Sequence, residues 1–276
     1  MKILLKTLKR IPMLVLELLF LVVFGFPFLF LLVTAFKSQM GYMRDFWALP
    51  TQLFLGNYEK VLSRNFLIYF YNSIIVSLIS VSLSVLFASM ASYAFSKIRF
   101  KLSKPLFIMF LMGMMIPVHT TLIPVFKLLN SIGIYDNKYA LIGPYISFAL
   151  PVSIFIITEF FNDVPGEIID AAVIDGCGDF RTYWIIMLPL STPAIATVGI
   201  YNFLHSWNEF IYALVLINKA SQKTLPLGIR DFYGAETVNI PAVLTAVLVG
   251  SLPVILFYLF AQDKVINGLS SGAVKG

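Results

Sequence analysis

Cysteine is nearly missing from this chain: Cys177 is alone, so no internal disulfide can form. Histidine is almost as scarce, and His119 and His205 lie far apart in the sequence. Such a pair, with no thiolate beside either, argues against a metal site. Charged residues make up 12% of the chain, about half of what a soluble domain carries. No G-x-x-x-x-G-K-[S/T] stretch occurs, so the chain has no P-loop of its own. No nucleophile–base pair stands in a setting that would support an enzyme embedded in a membrane. The net charge of +6 and pI near 9.3 are not a nucleic-acid footprint, because many of the basic residues flank apolar runs, where Lys and Arg fix topology.

Long apolar runs are what the chain has instead. Hydrophobic residues are 59% of the total and mean hydropathy is +0.88. Several runs reach the ~20 residues needed to cross a bilayer. Six spans are expected, over about 13–35, 69–95, 105–126, 139–161, 190–217 and 241–261. The first follows Lys2, Lys6, Lys9 and Arg10 and resembles a signal peptide, but it is too long for one and no small-residue cleavage site follows. It reads as an uncleaved span, with Glu17 reaching the headgroups. The second is rich in Ser (73, 77, 80, 82, 84, 89, 92) and Ala (88, 91, 94), small residues that let helices approach closely, so it belongs inside the bundle. In the third, Pro117 and Pro124 flank His119, Thr120 and Thr121 and should kink it. Residues 127–138 read as a short loop with turn residues Ser131, Gly133, Asp136 and Asn137.

Six spans put both termini on one side. Basic residues are densest in the first ten positions and in Lys97, Arg99, Lys101 and Lys104, which makes those segments, both termini and the 162–186 loop cytoplasmic. The fold class is therefore an all-α polytopic membrane protein. A division follows: 1–68 as first span and outer loop, 69–265 as the core, 266–276 as a cytoplasmic tail.

The 162–186 loop is a polar island between the fourth and fifth spans. Glu159, Asp163, Glu167, Asp170, Asp175 and Asp179 crowd it, with Arg181 the nearby counter-charge. Pro165 can open a helix. Ile168, Ala171, Ala172 and Ile174 give an apolar face at helical spacing. Gly176 and Gly178 can supply a left-handed turn, and Asp179 is a good N-cap for the next helix. One reading is a helix lying at the lipid surface. The other is a docking helix, favoured by the acids and the shallow Ala171–Ala172 face, since a lipid-surface helix prefers Lys and Arg. In the fifth span, Asn202, His205, Asn208 and Glu209 are polar groups at membrane depth. They read either as a cavity lining or partner contact, or as interhelical hydrogen bonding; Glu209, near the outer end, can also reach water.

Asp170-Ala171-Ala172, three residues, Gly176, nine residues, then Ile186-Met187-Leu188-Pro189 resembles the EAA motif of membrane subunits of binding-protein-dependent ABC importers, E-A-A-x3-G-x9-I-x-L-P. Asp170 replaces the usual Glu and keeps its charge. Tyr71-Asn72-Ser73, Tyr93-Ala94-Phe95, Leu122-Ile123-Pro124, Trp207-Asn208-Glu209-Phe210, Thr224-Leu225-Pro226 and the tail from Asn267 to Gly276 are similar to the carbohydrate-uptake branch. The likeness is to the shorter permease of maltose-type importers and covers 69–276. His119 stands where relatives often have Gln.

The resemblance implies a permease subunit in the cell membrane, with no ATP or Mg bound by this chain and both held by partner ATPases. A second permease would complete the path as a heterodimer, two ATP-binding subunits would drive it, and an extracytoplasmic binding protein would deliver a sugar. Glu167, Asp170, Ala171, Ala172, Asp175, Gly176 and Asp179 would form a cytoplasmic coupling helix between spans 4 and 5. Gly272, Ala273, Val274, Lys275 and Gly276 would contact the ATPases through a flexible tail. His119, Asn202, His205, Asn208 and Glu209 would be candidates for the substrate path. Glycerol-3-phosphate or another non-sugar solute remains an alternative cargo. A different class, the ATP-independent secondary transporter, would show an inverted repeat and charged midplane residues; no such repeat is visible.

Overall fold

Serine placement explains how the longest internal helix packs. In α4 (Arg64–Lys97), Ser73, Ser77, Ser80, Ser84, Ser89 and Ser92 are buried together with Ala88, while Ser82 faces outward. The buried positions recur at helical spacing, so one narrow, small-residue stripe faces the rest of the protein. Two of these hydroxyls tie neighbouring segments: Ser92 Oγ donates to the Ile154 carbonyl at 3.1 Å and Ser89 pairs with the Tyr183 hydroxyl at 2.8 Å.

The structure is a computed structural model that describes the backbone of residues 2–62, 64–233 and 238–273, and the side chains of 13–62, 65–233, 238–260 and 262. The described residues are helical and contain no strand. The helices are α1 (Lys2–Ala35), α2 (Gln39–Arg44), α3 (Gly56–Val61), α4, α5 (Ser103–Gly113), α6 (Leu122–Ser131), α7 (Ile142–Asn162), α8 (Gly166–Ile174), α9 (Asp179–Thr182), α10 (Leu188–Leu190), α11 (Thr192–Asn208), α12 (Ile211–Leu216), α13 (Leu225–Ile229) and α14 (Ile240–Ala273). Four helical stretches are long and apolar enough to cross a bilayer: Met13–Ala35, Asn65–Lys97, Lys138–Asn162 and Ile240–Phe260. Two bent pairs pass the same test only together, as a broken span or a re-entrant loop: Ser103–Gly113 with Val118–Ser131 (93°) and Asp179–Leu190 with Thr192–Asn208 (76°). Counting each pair once gives the six spans expected.

The bends correct the sequence reading in detail. The third span is broken at 114–117, not merely kinked, because Pro117 sits outside the helices and caps a 3-10 turn over Val118–Thr121. Residues 127–131, expected in a loop, are the second half of α6. The fifth span also stops early: α11 ends at Asn208 and the chain is extended at Glu209 before α12 begins. The tail region expected to be flexible is helical through Ala273; Val274, Lys275 and Gly276 lie outside the described residues.

The chain divides into two compact units. One comprises residues 1–66 and 229–252. Within it Asn57, fully buried, donates to the carbonyls of Ala35 and Lys37 at 3.1 and 2.8 Å, closing the end of α1. The other comprises 67–228 and 253–276 and holds two apolar cores. Val76, Leu141, Tyr145, Tyr212, Leu216 and Leu227 build the first. Ala88, Ile154, Ile157, Phe161, Tyr183 and Met187 build the second. Two distant tripeptides meet here. Asn72 Nδ2 donates to the Ser221 and Lys223 carbonyls at 3.0 and 2.9 Å, and the Leu225 amide donates to Ser73 Oγ at 2.8 Å. Thus Tyr71-Asn72-Ser73 and Thr224-Leu225-Pro226 hold each other.

Candidate functional site

Two places in the second unit combine the sequence-predicted residues. The first is the polar island. α8 closes with paired C-terminal bonds: the Cys177 amide reaches the Ala172 carbonyl at 2.9 Å and the Gly176 amide reaches Val173 at 3.0 Å. This closure needs a left-handed residue one position past the cap, and Gly176 has φ +75°. The fixed spacing from Ala172 to Gly176 is therefore a backbone requirement. Gly178 does not share it: it is extended and occupies the N-cap of α9. Asp179 is the first residue of that helix, not its cap as expected, because the closure of α8 runs through Cys177 and leaves Gly178 at the boundary. An acid there still suits the helix dipole.

The faces of α8 also differ from expectation. Ile168, Ala171, Ala172 and Ile174 do not form one buried face. Ala172 is buried and Ile169 half-buried, whereas Ile168, Ala171, Val173 and Ile174 are exposed, Ile174 by 85%. Glu167, Asp170, Asp175 and Asp179 are exposed as well. The result is a stub that presents acids interleaved with apolar side chains. Its entry is fixed from another element, since Lys97 Nζ donates to the Val164 carbonyl at 2.9 Å.

Its exit is equally defined. Tyr183–Met187 forms a π-helical turn in which the Leu188 amide bonds the Tyr183 carbonyl, five residues back. Pro189 cannot donate to the Ile185 carbonyl, so a regular α pattern cannot run through this stretch. Tyr183 is buried and anchored to Ser89. The Ile186–Pro189 half of the motif is thus a shaped connection between the island and α11.

The second place is a cavity of about 390 Å3 among α5, α7, α11 and α12. Asn202, His205 and Glu209 line it, with Tyr145, Tyr201 and Tyr212. His119 and Asn208 do not line it: His119 is exposed on the 3-10 turn, and Asn208 is exposed and donates to the Leu204 carbonyl of its own helix at 2.9 Å. Asn202 is buried and its Nδ2 donates to Ser153 Oγ of α7 at 3.0 Å, so interhelical bonding is realised at this position. Glu209 does not simply reach water. One carboxylate oxygen accepts from the Tyr212 amide at 2.7 Å; the other accepts from the Tyr145 hydroxyl at 2.7 Å and the Ala213 amide at 3.3 Å. It caps α12 across the break. The three tyrosines escaped sequence reasoning because aromatics are abundant in the chain and nothing local separates a cavity wall from a lipid-facing ring.

The sequence matches the family described as "Binding-protein-dependent transport system inner membrane component" over residues 80–265. The chain belongs to this family. It is a permease subunit, an inner-membrane component. It is 48% identical over 251 residues to a putative ABC transporter permease of Caldicellulosiruptor sp. (strain Rt8B.4), covering 91% of each chain. It is 31% identical over 277 residues to the trehalose/maltose transport system permease of Thermococcus litoralis, covering 98% of this chain and 99% of the other. Among solved structures, a chain of a bacterial ABC transporter that imports the acidic polysaccharide alginate matches with a TM-score of 0.82, 22% identity, and coverage of 93% and 96%. That likeness is one of fold.

Proposed function

We propose that this permease forms half of the translocation path of an ATP-driven importer for a sugar or oligosaccharide. A second permease completes the path, an extracytoplasmic binding protein delivers the solute, and two ATPase subunits power it. Both termini and the island are cytoplasmic. Residues 69–265 act as the transport core, and the C-terminal residues, Gly272 to Gly276 included, touch the ATPases. The observation that carries this reading is the α8 stub, which holds exposed acids and exposed apolar side chains on a rigidly closed helix. A surface of that kind suits a protein groove better than lipid. Glu167 and Asp170 make the first contact; Asp175 and Asp179 stabilise the turn and the next helix. The relatives' printed cargoes, trehalose and maltose among them, support a sugar as solute.

Coupling follows from stiffness. Movement of the stub on ATP binding is passed through the Tyr183–Met187 turn to α11, which lines the cavity. The ligand dependence must come from contacts that differ between open and closed ATPase dimers. The test is Asp170→Lys in the assembled importer. ATP-dependent uptake should fall at least ten-fold while the permease still inserts and stays monodisperse. Unchanged uptake would remove the coupling role, and ATP-independent uptake by the chain alone would select a secondary transporter instead.

A further inference from the structure

The short connection from α4 to α5 alternates in character. Lys97, Arg99 and Lys101 are interleaved with Ile98, Phe100 and Leu102, and all of them except Lys97 are exposed. The loop is held at both ends. Phe100 stacks on Phe95 of α4 with ring centroids 6.3 Å apart, and Ser103 Oγ donates to the Phe95 carbonyl at 3.2 Å. Lys97 Nζ, through its bond to the Val164 carbonyl, ties the end of α4 to the segment that leads into α8.

A groove of about 1020 Å3 opens between this loop and α8. Lys97, Arg99 and Lys101 line one side; Gly166, Ile169 and Asp170 line the other. Three cations against one carboxylate leave the groove net positive. Lys97 is committed to a carbonyl, but among the described residues Arg99 and Lys101 make no ion pair. A guanidinium next to an ammonium suits a phosphate: the Arg fork takes two oxygens and the Lys adds a point charge. The neighbouring side chains narrow the source. Exposed Ile98, Phe100 and Leu102 gain from contact with acyl chains, while cations between them gain from an anionic membrane surface. This composition is the reverse of that of α8, where acids stand among the apolar residues.

Resting on the importer reading above, which puts this loop on the cytoplasmic side, we propose that the groove binds the phosphodiester headgroup of an anionic phospholipid. Arg99 and Lys101 contact the phosphate, and the occupant steadies α8, whose Gly166, Ile169 and Asp170 form the opposite wall. The coupling helix is thereby made sensitive to the lipid around it.

The experiment uses the assembled importer with its own binding protein, in nanodiscs of phosphatidylcholine alone or with one-third phosphatidylglycerol. ATP hydrolysis by the parent should be at least three-fold faster with phosphatidylglycerol. Arg99→Gln and Lys101→Gln together should abolish that response. Both residues are exposed, so the pair should fold. Lys104→Gln removes a nearby cation that does not line the groove and should keep the response. The double variant should also retain at least three-fold less phosphatidylglycerol per permease after purification in detergent, counted by mass spectrometry. A response in the double variant equal to the parent's overturns the site and leaves the importer reading standing. Loss of the response in Lys104→Gln as well shows diffuse charge and overturns the site too. Recovery of the phosphatidylcholine-only importer by soluble glycerophosphoglycerol makes the ligand a free phosphodiester and overturns the lipid assignment. A double variant that sheds its ATPase subunits in both lipid mixtures, yet retains phosphatidylglycerol, makes the groove an ATPase contact instead. A parent that never co-purifies with an ATPase overturns the importer reading and the effect on α8 with it, while phosphatidylglycerol retention still decides the site.

Discussion

Two glycines show how differently one residue type can constrain this chain. At Gly176 a Cβ would meet nothing within 4 Å, but φ is +75°. The penalty for a side chain there is conformational, about 1–2 kcal/mol. Gly176→Ala should lower stability by about that amount, measured by thermal unfolding in detergent, with the largest gain in amide exchange at Gly176 and Cys177. At Gly228 the backbone is unremarkable, but a Cβ would lie 1.9 Å from Tyr69 Cδ2. Tyr69 is 3% exposed, so the ring has little freedom to yield. Gly228→Ala should therefore cost more than Gly176→Ala, at the upper end of the ~1–3 kcal/mol typical of overpacking. Equal costs at the two sites would contradict this assignment of one to strain and the other to space. Only Gly176 was marked by sequence, through its place in the spaced motif; Gly228 follows a recognised tripeptide but nothing local announces Tyr69.

At the scale of elements, the breaks carry the structure. Glu209 bridges the interruption between α11 and α12 by accepting two backbone amides and the Tyr145 hydroxyl. Glu209→Ala leaves those donors unpaired and should destabilise by about 1–3 kcal/mol, whereas Glu209→Gln keeps an acceptor and should cost less. Comparing the two by unfolding midpoint separates capping from mere charge. A second tie joins the loop after α6 to the segment after α12. Asp136, at φ 58°, accepts from the amides of Asn218 and Lys219, both at 2.8 Å, with Lys219 Nζ 3.7 Å away. Burial pushes this carboxyl upward, but the two amides and the Lys219 ammonium outweigh it and hold it below the usual carboxylate range. The bound form is the ionised one. Its contribution is complete above the ordinary unfolded value of about 3.9 and is lost as pH falls through the lower folded value. Amide exchange at Asn218 and Lys219 should rise only in that acid window, and Asp136→Asn should weaken the protection already at neutral pH. The exposed Lys219 contact itself adds little.

Across the whole molecule, the hydrophobic pattern is inverted relative to a soluble protein. Much of the apolar surface is exposed, Leu21 at 69% and Phe260 at 83%, while hydroxyls and small residues line the buried side of α4. Lipid is as apolar as a leucine side chain, so packing follows close approach and hydrogen bonding. That logic placed the serines of α4 inside from sequence alone, correctly for all but Ser82. The same logic shows why α8 stands out: its apolar residues alternate with acids, which lipid would not favour. The stub, the π-helical turn, α11 and the cavity that α11 borders follow one another along one stretch of chain.

Composition, run length and residue spacing determined the class, the four unbroken candidate spans, the small-residue face of α4 and the island's turn, because bilayer thickness and backbone closure act locally along the chain. Hydropathy could not place the breaks at 114–117 and Glu209, since the apolar run continues through the first and resumes directly after the second. Nor could spacing separate His119 and Asn208 from Asn202, His205 and Glu209, because all five are polar groups in apolar surroundings. Only the tertiary structure decided that three of them share one cavity with Tyr145, Tyr201 and Tyr212. That convergence depends on the angles between separate helices, which no stretch of sequence specifies by itself.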